Sequence, residues 1–352
     1  MEVFTELAER GHEGLFFASD PDCGLRAVIG VHSTALGPAL GGTRMRAYGS
    51  VEEALTDVLR LSRAMTYKAA GAGLPLGGGK AVILGDPAVV KSDALLEAYG
   101  RAVDSLGGTY VTAEDVGTTV EDMVVIARRT THVSGLPVEI GGSGDPSPAT
   151  AHGVLAAMRA TAEHLWGSDV LSGRTVAIQG VGKVGSVLAG LLVEKGCDVV
   201  IADVDTAAVA SLVSEFGVRS VPAAEILETP CDILAPCALG AVLNPGTIPR
   251  LSCGAVVGAA NNQLLGPEDA GRLAAAGILY TPDFIANAGG IINIVEELGD
   301  RQYSWVRALR AVERIYDTTG EVLRRARREG TATATAATAH AEDRLKAAGA
   351  AR

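Results

Sequence analysis

Two lysines and an aspartate stand out in a chain otherwise rich in small apolar residues. Ser50–Ala70 has the spacing of a helix, with Ala54, Val58, Leu61 and Met65 as its apolar stripe, and one further step along that stripe falls on Lys68. A lysine there either leads its charged head out to solvent at the helix end or has a functional partner, because burying it alone is costly. Lys80 ends the run Leu74–Lys80 (LPLGGGK) and opens the apolar run Ala81–Leu84. Beside buried strands its ammonium is expected to lose protons near neutrality, the range useful for acid–base work. The run is not a phosphate loop. Leu74 stands where the first glycine is needed, Ala81 replaces the Ser/Thr, and a strand rather than a helix follows. Its three glycines are instead expected where bare backbone approaches a ligand, and Gly41–Gly42 in PALGGTR read the same way. Asp115, in Tyr110–Thr119 (YVTAEDVGTT), lies between a strand and a helix. It is either an N-cap or a functional carboxylate.

The elements that must position these residues follow from pattern. Leu25–His32 and Ala81–Leu84 read as strands, and Ser50 with Glu53 forms the S-x-x-E of a capping box at the start of the helix. Gly141–Pro148 (GGSGDPSP) is turn chemistry throughout and suits an interdomain hinge, with a helix over His152–Trp166 beyond it. Strand and helix patterns then alternate: Thr175–Gln179, Val184–Lys195, Val199–Ala202, Val209–Phe216, Ile233–Pro236 and Val256–Gly258. That rhythm predicts a doubly wound parallel sheet, so the fold class is α/β in two domains. The expected division is an α/β substrate and oligomerisation domain over 1–146, a Rossmann-type nucleotide domain over 147–325, and a tail over 326–352 that packs back on the first domain. The Thr/Ala-rich stretch of that tail reads as a loose end or a frayed helix.

Gly180-Val-Gly182-Lys-Val-Gly185 matches G-x-G-x-x-G, a weak signal alone. Here the apolar strand TVAIQ precedes it and a helix pattern follows, which makes it a dinucleotide fingerprint. Gly180, Gly182, Lys183, Val184 and Gly185 then form the phosphate-binding turn at the positive end of a helix. Asp203 ends the next strand, 18 residues past Gly185. A carboxylate there accepts from a ribose diol and repels a 2′-phosphate, and no arginine stands beside it; NAD is expected rather than NADP.

Composition bounds the rest. The 352 residues carry a formal charge of −11, 48% of them are apolar and only 4% aromatic. The acidic balance disfavours nucleic acid and anionic membranes as partners. The five scattered cysteines form no Cys-x-x-Cys pair and read as buried thiols; no His/Cys cluster suggests a metal. Without an apolar signal core or a membrane-length apolar stretch, a cytoplasmic protein is expected.

The motifs STALGPALGGTRMR, MTYKAAGAGLPLGGGKAVI, YVTAEDVGTTVEDM, GVGKVG, GAANNQL and YTPDFIANAGGIIN run in order from about Ser33 to Asn293. In them the chain resembles the leucine, valine and phenylalanine dehydrogenases, relatives of glutamate dehydrogenase. The resemblance implies oxidative deamination of an apolar amino acid, leucine or valine before phenylalanine, in a cleft between the two domains. It implies that Lys68 binds the substrate carboxylate with the Gly41–Gly42 backbone, that Lys80 activates water, and that Asp115 exchanges protons with the amine. It further implies that Asn261 fixes the nicotinamide end, and that Leu40, Met65, Ala113, Ile291 and Ile294 line the side-chain pocket. A homo-oligomer, dimer or octamer, is implied as well. The competing enzyme reading, a hydroxy-acid dehydrogenase, wants a His–carboxylate pair that no motif supplies. A catalytically silent NAD-binding regulatory protein would keep the fingerprint but has no need of Lys68, Lys80 and Asp115 together.

Overall fold

In the computed structural model, which describes residues 2–298 and 302–350, strands and helices alternate through two units. Unit 1 comprises Met1–Asp145, Ile294–Ser304 and Ala341–Arg352; unit 2 comprises Pro146–Asn293 and Trp305–His340.

Unit 1 begins with α1 (Val3–Arg10), β1 (Gly14–Asp20), β2 (Leu25–Ser33) and β3 (Ala39–Arg46). It continues through α2 (Val51–Gly71), β4 (Gly77–Leu84), the short α3 (Pro87–Val90), α4 (Asp93–Asp104), β5 (Tyr110–Glu114) and α5 (Val120–Ala127). Its sheet has the order β1-β2-β4-β3-β5, antiparallel on the β1–β2–β4 side and parallel across β4–β3–β5. Side chains alternate across the sheet. Val28 and Val82 pack on one face with Ala54, Leu55, Val58 and Leu59 of α2. Ile29, Ala81, Ile83 and Tyr110 pack on the other with Leu95, Leu96 and Tyr99 of α4 and Met123 and Ile126 of α5.

Helix α2 departs from its expected orientation. Its buried row is Ala54, Val58, Ser62 and Thr66, flanked by Leu55, Leu59, Ala69 and Ala70; Leu61, Met65 and Lys68 lie at the half-buried border. Ser62 and Thr66 can face the sheet because each hydroxyl donates to a carbonyl one turn back. Only half of the expected capping box forms. The Ser50 hydroxyl accepts from the Glu53 N–H at 3.0 Å, while the Glu53 carboxylate accepts from Gly49 N–H at 2.8 Å and pairs with Arg46.

The three glycines of LPLGGGK are not a ligand-facing loop but the first half of β4, all buried. What approaches them is the protein itself. A Cβ on Gly78 would lie 2.0 Å from the Thr66 backbone nitrogen, one on Gly77 1.9 Å from the Ser33 carbonyl oxygen, and one on Gly79 2.7 Å from the Tyr110 ring. Glycine therefore lets α2 and the neighbouring strands close on β4.

Unit 2 opens on α6 (Ser147–Trp166), longer at its start than the expected His152–Trp166 because Pro148 is accommodated in its first turn. Then follow β6 (Thr175–Gln179), α7 (Lys183–Glu194), β7 (Asp198–Ala202), α8 (Thr206–Phe216), β8 (Arg219–Ser220), β9 (Cys231–Pro236) and β10 (Cys253–Val256). Beyond them lie α9 (Glu268–Ala275), β11 (Leu279–Tyr280), α10 (Asp283–Ala286), α11 (Gly289–Glu297), α12 (Trp305–Glu313), α13 (Ile315–Glu329) and α14 (Thr333–Ala350). The sheet order β8-β7-β6-β9-β10-β11, parallel throughout, is the doubly wound arrangement that the alternating pattern predicts. The Thr/Ala-rich stretch is ordered helix, with Ala336, Ala337 and Ala341 buried. All five cysteines are free, and half-buried rather than buried, because four of them sit at or next to strand ends. Among the described residues no helix is long and apolar enough to cross a membrane.

Candidate active site

Strand register assembles the site of unit 1. Leu40 stands opposite Val111 and Gly42 opposite Ala113, so Leu40, Gly42, Val111 and Ala113 share one sheet face. Gly78 pairs with Leu40, which places Gly78, Lys80 and Val82 of β4 on that same face. Lys80 sits within the strand rather than at its start, and is 6% exposed. Its ammonium contacts the carboxylate Oδ2 of Asp115, the residue immediately after β5.

Asp115 is not an N-cap; Thr119 caps α5 instead, with Asp122 completing a capping box. The Asp115 carboxylate accepts from Val116 N–H at 2.6 Å and its own N–H donates to Thr118 Oγ1 at 2.9 Å. The turn is pinned to β3, since Thr118 donates to the Thr43 carbonyl at 2.8 Å and Met45 N–H to the Val116 carbonyl at 2.8 Å. Gly117 lies there at φ +83°, and a Cβ on it would meet the Met45 carbonyl oxygen at 1.9 Å. Only glycine fits.

Gly41 and Gly42 are bare for structural reasons. A Cβ on Gly41 would fall 1.8 Å from the Gly79 carbonyl oxygen, and one on Gly42 2.4 Å from the Glu114 carbonyl oxygen and 2.9 Å from Asp115 Cβ. Gly42 thus makes room for the catalytic candidate beside it. Neighbouring strands fill the space where each side chain would stand.

The electrostatics concentrate on Lys80. Burial first, then the guanidinium of Arg44, hold its ammonium down at about 7; Lys68 adds to the lowering and Asp57 opposes it. Arg44 was given no role by the sequence reading. Its Nε lies 3.6 Å from Asp115 Oδ2, and its Nη1 pairs with Asp57 at 2.9 Å. Asp57 also accepts from Tyr48 at 2.9 Å and Arg60 at 3.0 Å. The available signal was alternation: Gly42 and Arg44 are two residues apart on one strand.

The other expected substrate residues are distributed. Lys68 lies in the last turn of α2, half-buried, with Met65 one turn before it. Leu40 and Ala113 are buried in unit 1, and Ile294 is half-buried there. Ile291, 6% exposed, belongs to unit 2.

In unit 2 the three fingerprint glycines have distinct steric duties. Gly180 turns at φ +95°, and a Cβ there would meet that of Ala238 at 2.7 Å. Gly185 lets α7 approach the turn, since its Cβ would lie 2.0 Å from the Gly180 carbonyl oxygen. Gly182, the N-cap of α7, has nothing within 4 Å of such a Cβ, which leaves space open before the helix. Lys183 and Val184 are the first helical residues. Asp203 ends just past β7, where backbone N–H groups of Asp205 and Val181, the latter at 2.7 Å, hold its carboxyl below the usual range. Asn261 lies in the exposed loop after β10 and accepts from Asn287 Nδ2 at 2.9 Å. Asn287, which the sequence reading missed, is buried with its Oδ1 unpartnered. An unused acceptor, an open helix N-terminus and a strand-end carboxylate fit a dinucleotide.

Known proteins bear on this arrangement. The family model for the Glu/Leu/Phe/Val dehydrogenase dimerisation domain matches residues 12–132, and that for Glutamate/Leucine/Phenylalanine/Valine dehydrogenase matches 141–211 and 202–352. A leucine dehydrogenase of Geobacillus stearothermophilus is 47% identical over 98% of this chain and 94% of its own. A valine dehydrogenase of Streptomyces virginiae is 50% identical over 95% of this chain and 94% of its own. The solved L-tryptophan dehydrogenase of Nostoc punctiforme superposes with a TM-score of 0.88 at 42% identity, covering 98% of this chain and 99% of that one. With the family models spanning nearly the whole chain, the protein belongs to the Glu/Leu/Phe/Val dehydrogenase family and is an amino-acid dehydrogenase.

Proposed function

We propose that the protein oxidatively deaminates an apolar L-amino acid with NAD, a branched aliphatic one first, and catalyses the reverse reductive amination. The observation that carries this reading is the buried Lys80 amine, held at about 7 and in contact with Asp115, with Arg44 beside that carboxylate. Deamination converts amino acid, water and NAD to 2-oxo acid, ammonia and NADH. The nicotinamide would supply the hydride acceptor for the α-hydrogen. The remaining steps move protons, and a lysine poised near neutrality takes one from the water that adds to the imine carbon. Asp115, in contact with that lysine, exchanges protons with the departing nitrogen. Lys68 holds the α-carboxylate. Gly180, Gly182, Lys183, Val184 and Gly185 cradle the pyrophosphate, Asp203 accepts from the ribose diol, and Asn261 steadies the nicotinamide end.

Leu40, Met65, Ala113, Ile291 and Ile294 are the residues proposed to select the side chain. Val111, the register partner of Leu40, lines a cavity of about 490 Å³ with Leu76, Val295 and Leu298. No lysine or arginine lines it, and only His132 and Thr131 could meet the second carboxylate of glutamate, which disfavours glutamate as a substrate. Ala113 is small enough to leave room for an aromatic ring, which makes phenylalanine the second reading. Self-association suits unit 1, whose edge strand β1 pairs only with β2 and whose Phe4 and Phe17 are 84% and 61% exposed. We read the enzyme as a cytoplasmic homo-oligomer.

NADH absorbance, read with leucine, valine, phenylalanine and glutamate and with NAD against NADP, tests the whole assignment. Branched aliphatic substrates with NAD should give the highest kcat/KM. Lys80→Ala and Asp115→Asn should each lower kcat by about two orders of magnitude, and Lys68→Ala should chiefly raise KM. Efficient use of glutamate, or near-normal turnover by Lys80→Ala, would refute it.

A further inference from the structure

A second cavity, of about 350 Å³, opens in unit 2 before the amino end of the edge strand β11. The fingerprint turn lies at the carboxyl end of β6, the opposite edge of a parallel sheet. The cavity's walls are apolar, from Ala270 and Ala274 of α9, Ile278, and Leu323 and Ala326 of α13. His164 of α6 and Arg327 of α13 also line it. Arg324 stands one helical step from Arg327, and among the described residues neither guanidinium pairs with a carboxylate. Both lower the pKa of His164, second only to burial, and no carboxylate opposes them.

Three acids on the lining helices, Glu163, Asp269 and Glu329, have partners of their own, and Glu268, Asp317 and Glu321 do not line the cavity. Glu163 accepts from Tyr316 at 2.7 Å, Asp269 pairs with Arg272 at 2.6 Å, and Glu329 pairs with Arg325 at 3.0 Å. Arg327 at the cavity and Arg324 one step along α13 place positive charge there without a counter-charge. The neutral imidazole of His164 can donate a hydrogen bond, and an anion would relieve the repulsion between the guanidiniums. No aspartate or glutamate lines the cavity to receive a cation. An amino acid would therefore leave its ammonium unpaired there, whereas a carboxylate with an apolar body matches both mouth and walls.

We propose that this cavity is a second binding site, taking an apolar monocarboxylate that carries no ammonium group. Arg327 holds the carboxylate with His164 beside it, and the alanine-lined wall receives the hydrocarbon. A phosphate shares the anionic chemistry but would leave the apolar wall unused.

The test is calorimetric titration of the full chain with 4-methylpentanoate, with L-leucine and inorganic phosphate in parallel. Lys68→Ala is carried in every sample to suppress binding at the active site. If Lys68 does not hold carboxylates, the active site adds a component that no cavity substitution alters, so that failure is distinguishable from failure of this site. Arg327→Ser should weaken 4-methylpentanoate binding by about tenfold or more, the scale of a lost charge-assisted hydrogen bond. Ala274→Leu keeps the cations but fills the space from an exposed position, and should abolish binding without changing Tm. Leucine and phosphate should each bind at least about tenfold more weakly. Binding that neither substitution changes would overturn the site, and equal affinity for leucine or phosphate would overturn the ligand class.

Discussion

Removing Arg44 should move the pH dependence of the enzyme without removing any group that takes part in proton transfer. In the proposed mechanism Lys80 enters deamination as a free amine, so kcat/KM should rise with pH through an ascending limb near 7, where burial and Arg44 hold its ammonium. Arg44 Nε lies 3.6 Å from the carboxylate oxygen that Lys80 contacts. Adding one hydrogen-bond length gives a cation separation of roughly 6 Å, and Coulomb's law at an effective dielectric of about 20 then gives up to about 3 kcal/mol of repulsion. That is at most about two pKa units, and solvent relaxation makes one to two the working expectation, roughly. Arg44→Leu should therefore shift the limb upward by that amount. At pH 7 the free-amine fraction would fall by about tenfold, while at pH 9.5 activity would approach that of the parent. Arg44→Lys, which restores the charge, should return the limb towards 7. Asp57 retains Tyr48 and Arg60 as partners, and an unchanged Tm would show that the fold has survived. A loss of equal size at pH 7 and pH 9.5 would refute the reasoning, because Arg44 would then act on substrate or fold and not through Lys80.

The fingerprint glycines should separate by assay. Gly182→Ala meets nothing in the protein and should keep Tm while weakening NAD binding by about tenfold or more; Gly185→Ala collides with the Gly180 carbonyl and should lower Tm itself. Unchanged NAD binding in Gly182→Ala would remove the turn from the cofactor site. Asp203→Ala should weaken NAD and narrow the preference over NADP, and equal kcat/KM for both cofactors in the parent would contradict its role. Acid stability should depend on His32, which bonds Thr66 at 2.8 Å and which burial, helped by His12, holds at about 4 against an ordinary 6.5. The unfolded chain binds the extra proton, so stability is fully present above 6.5 and declines as pH falls towards 4, by roughly 2 kcal/mol after discounting for partial exposure. Urea unfolding at pH 7 and pH 5 should show a shallower loss in His32→Gln than in the parent; an identical loss would clear His32.

What was legible in the sequence was whatever is decided by near neighbours. The fingerprint could be read because its turn, open N-cap and close helix follow one another within Gly180–Gly185, although the neighbour that Gly180 must clear, Ala238, comes from elsewhere in the chain. The α2 stripe was misplaced because apolar periodicity cannot see that Ser62 and Thr66 satisfy their hydroxyls on their own helix and so pass for small core residues. The glycines of β4 misled for a complementary reason. They do mark a close approach, but the objects are the Ser33 carbonyl, the Thr66 backbone and the Tyr110 ring, and nothing local distinguishes such protein neighbours from a ligand. Arg44 and Asn287 were invisible as functional residues because their partners are brought by tertiary register: Arg44 meets Asp115 only because β3 pairs with β5 so that Gly42 faces Ala113. The same register explains the perturbed lysine. A strand that is fully buried and flanked on both sides by strands offers Lys80 neither solvent nor a flexible route to it, and the carboxylate that compensates must come from the end of another strand two places across the sheet. The proton chemistry proposed for Lys80 and Asp115 thus depends on strand order, and a shift of one residue between β3 and β5 would turn Ala113 to the opposite face and destroy the pairing.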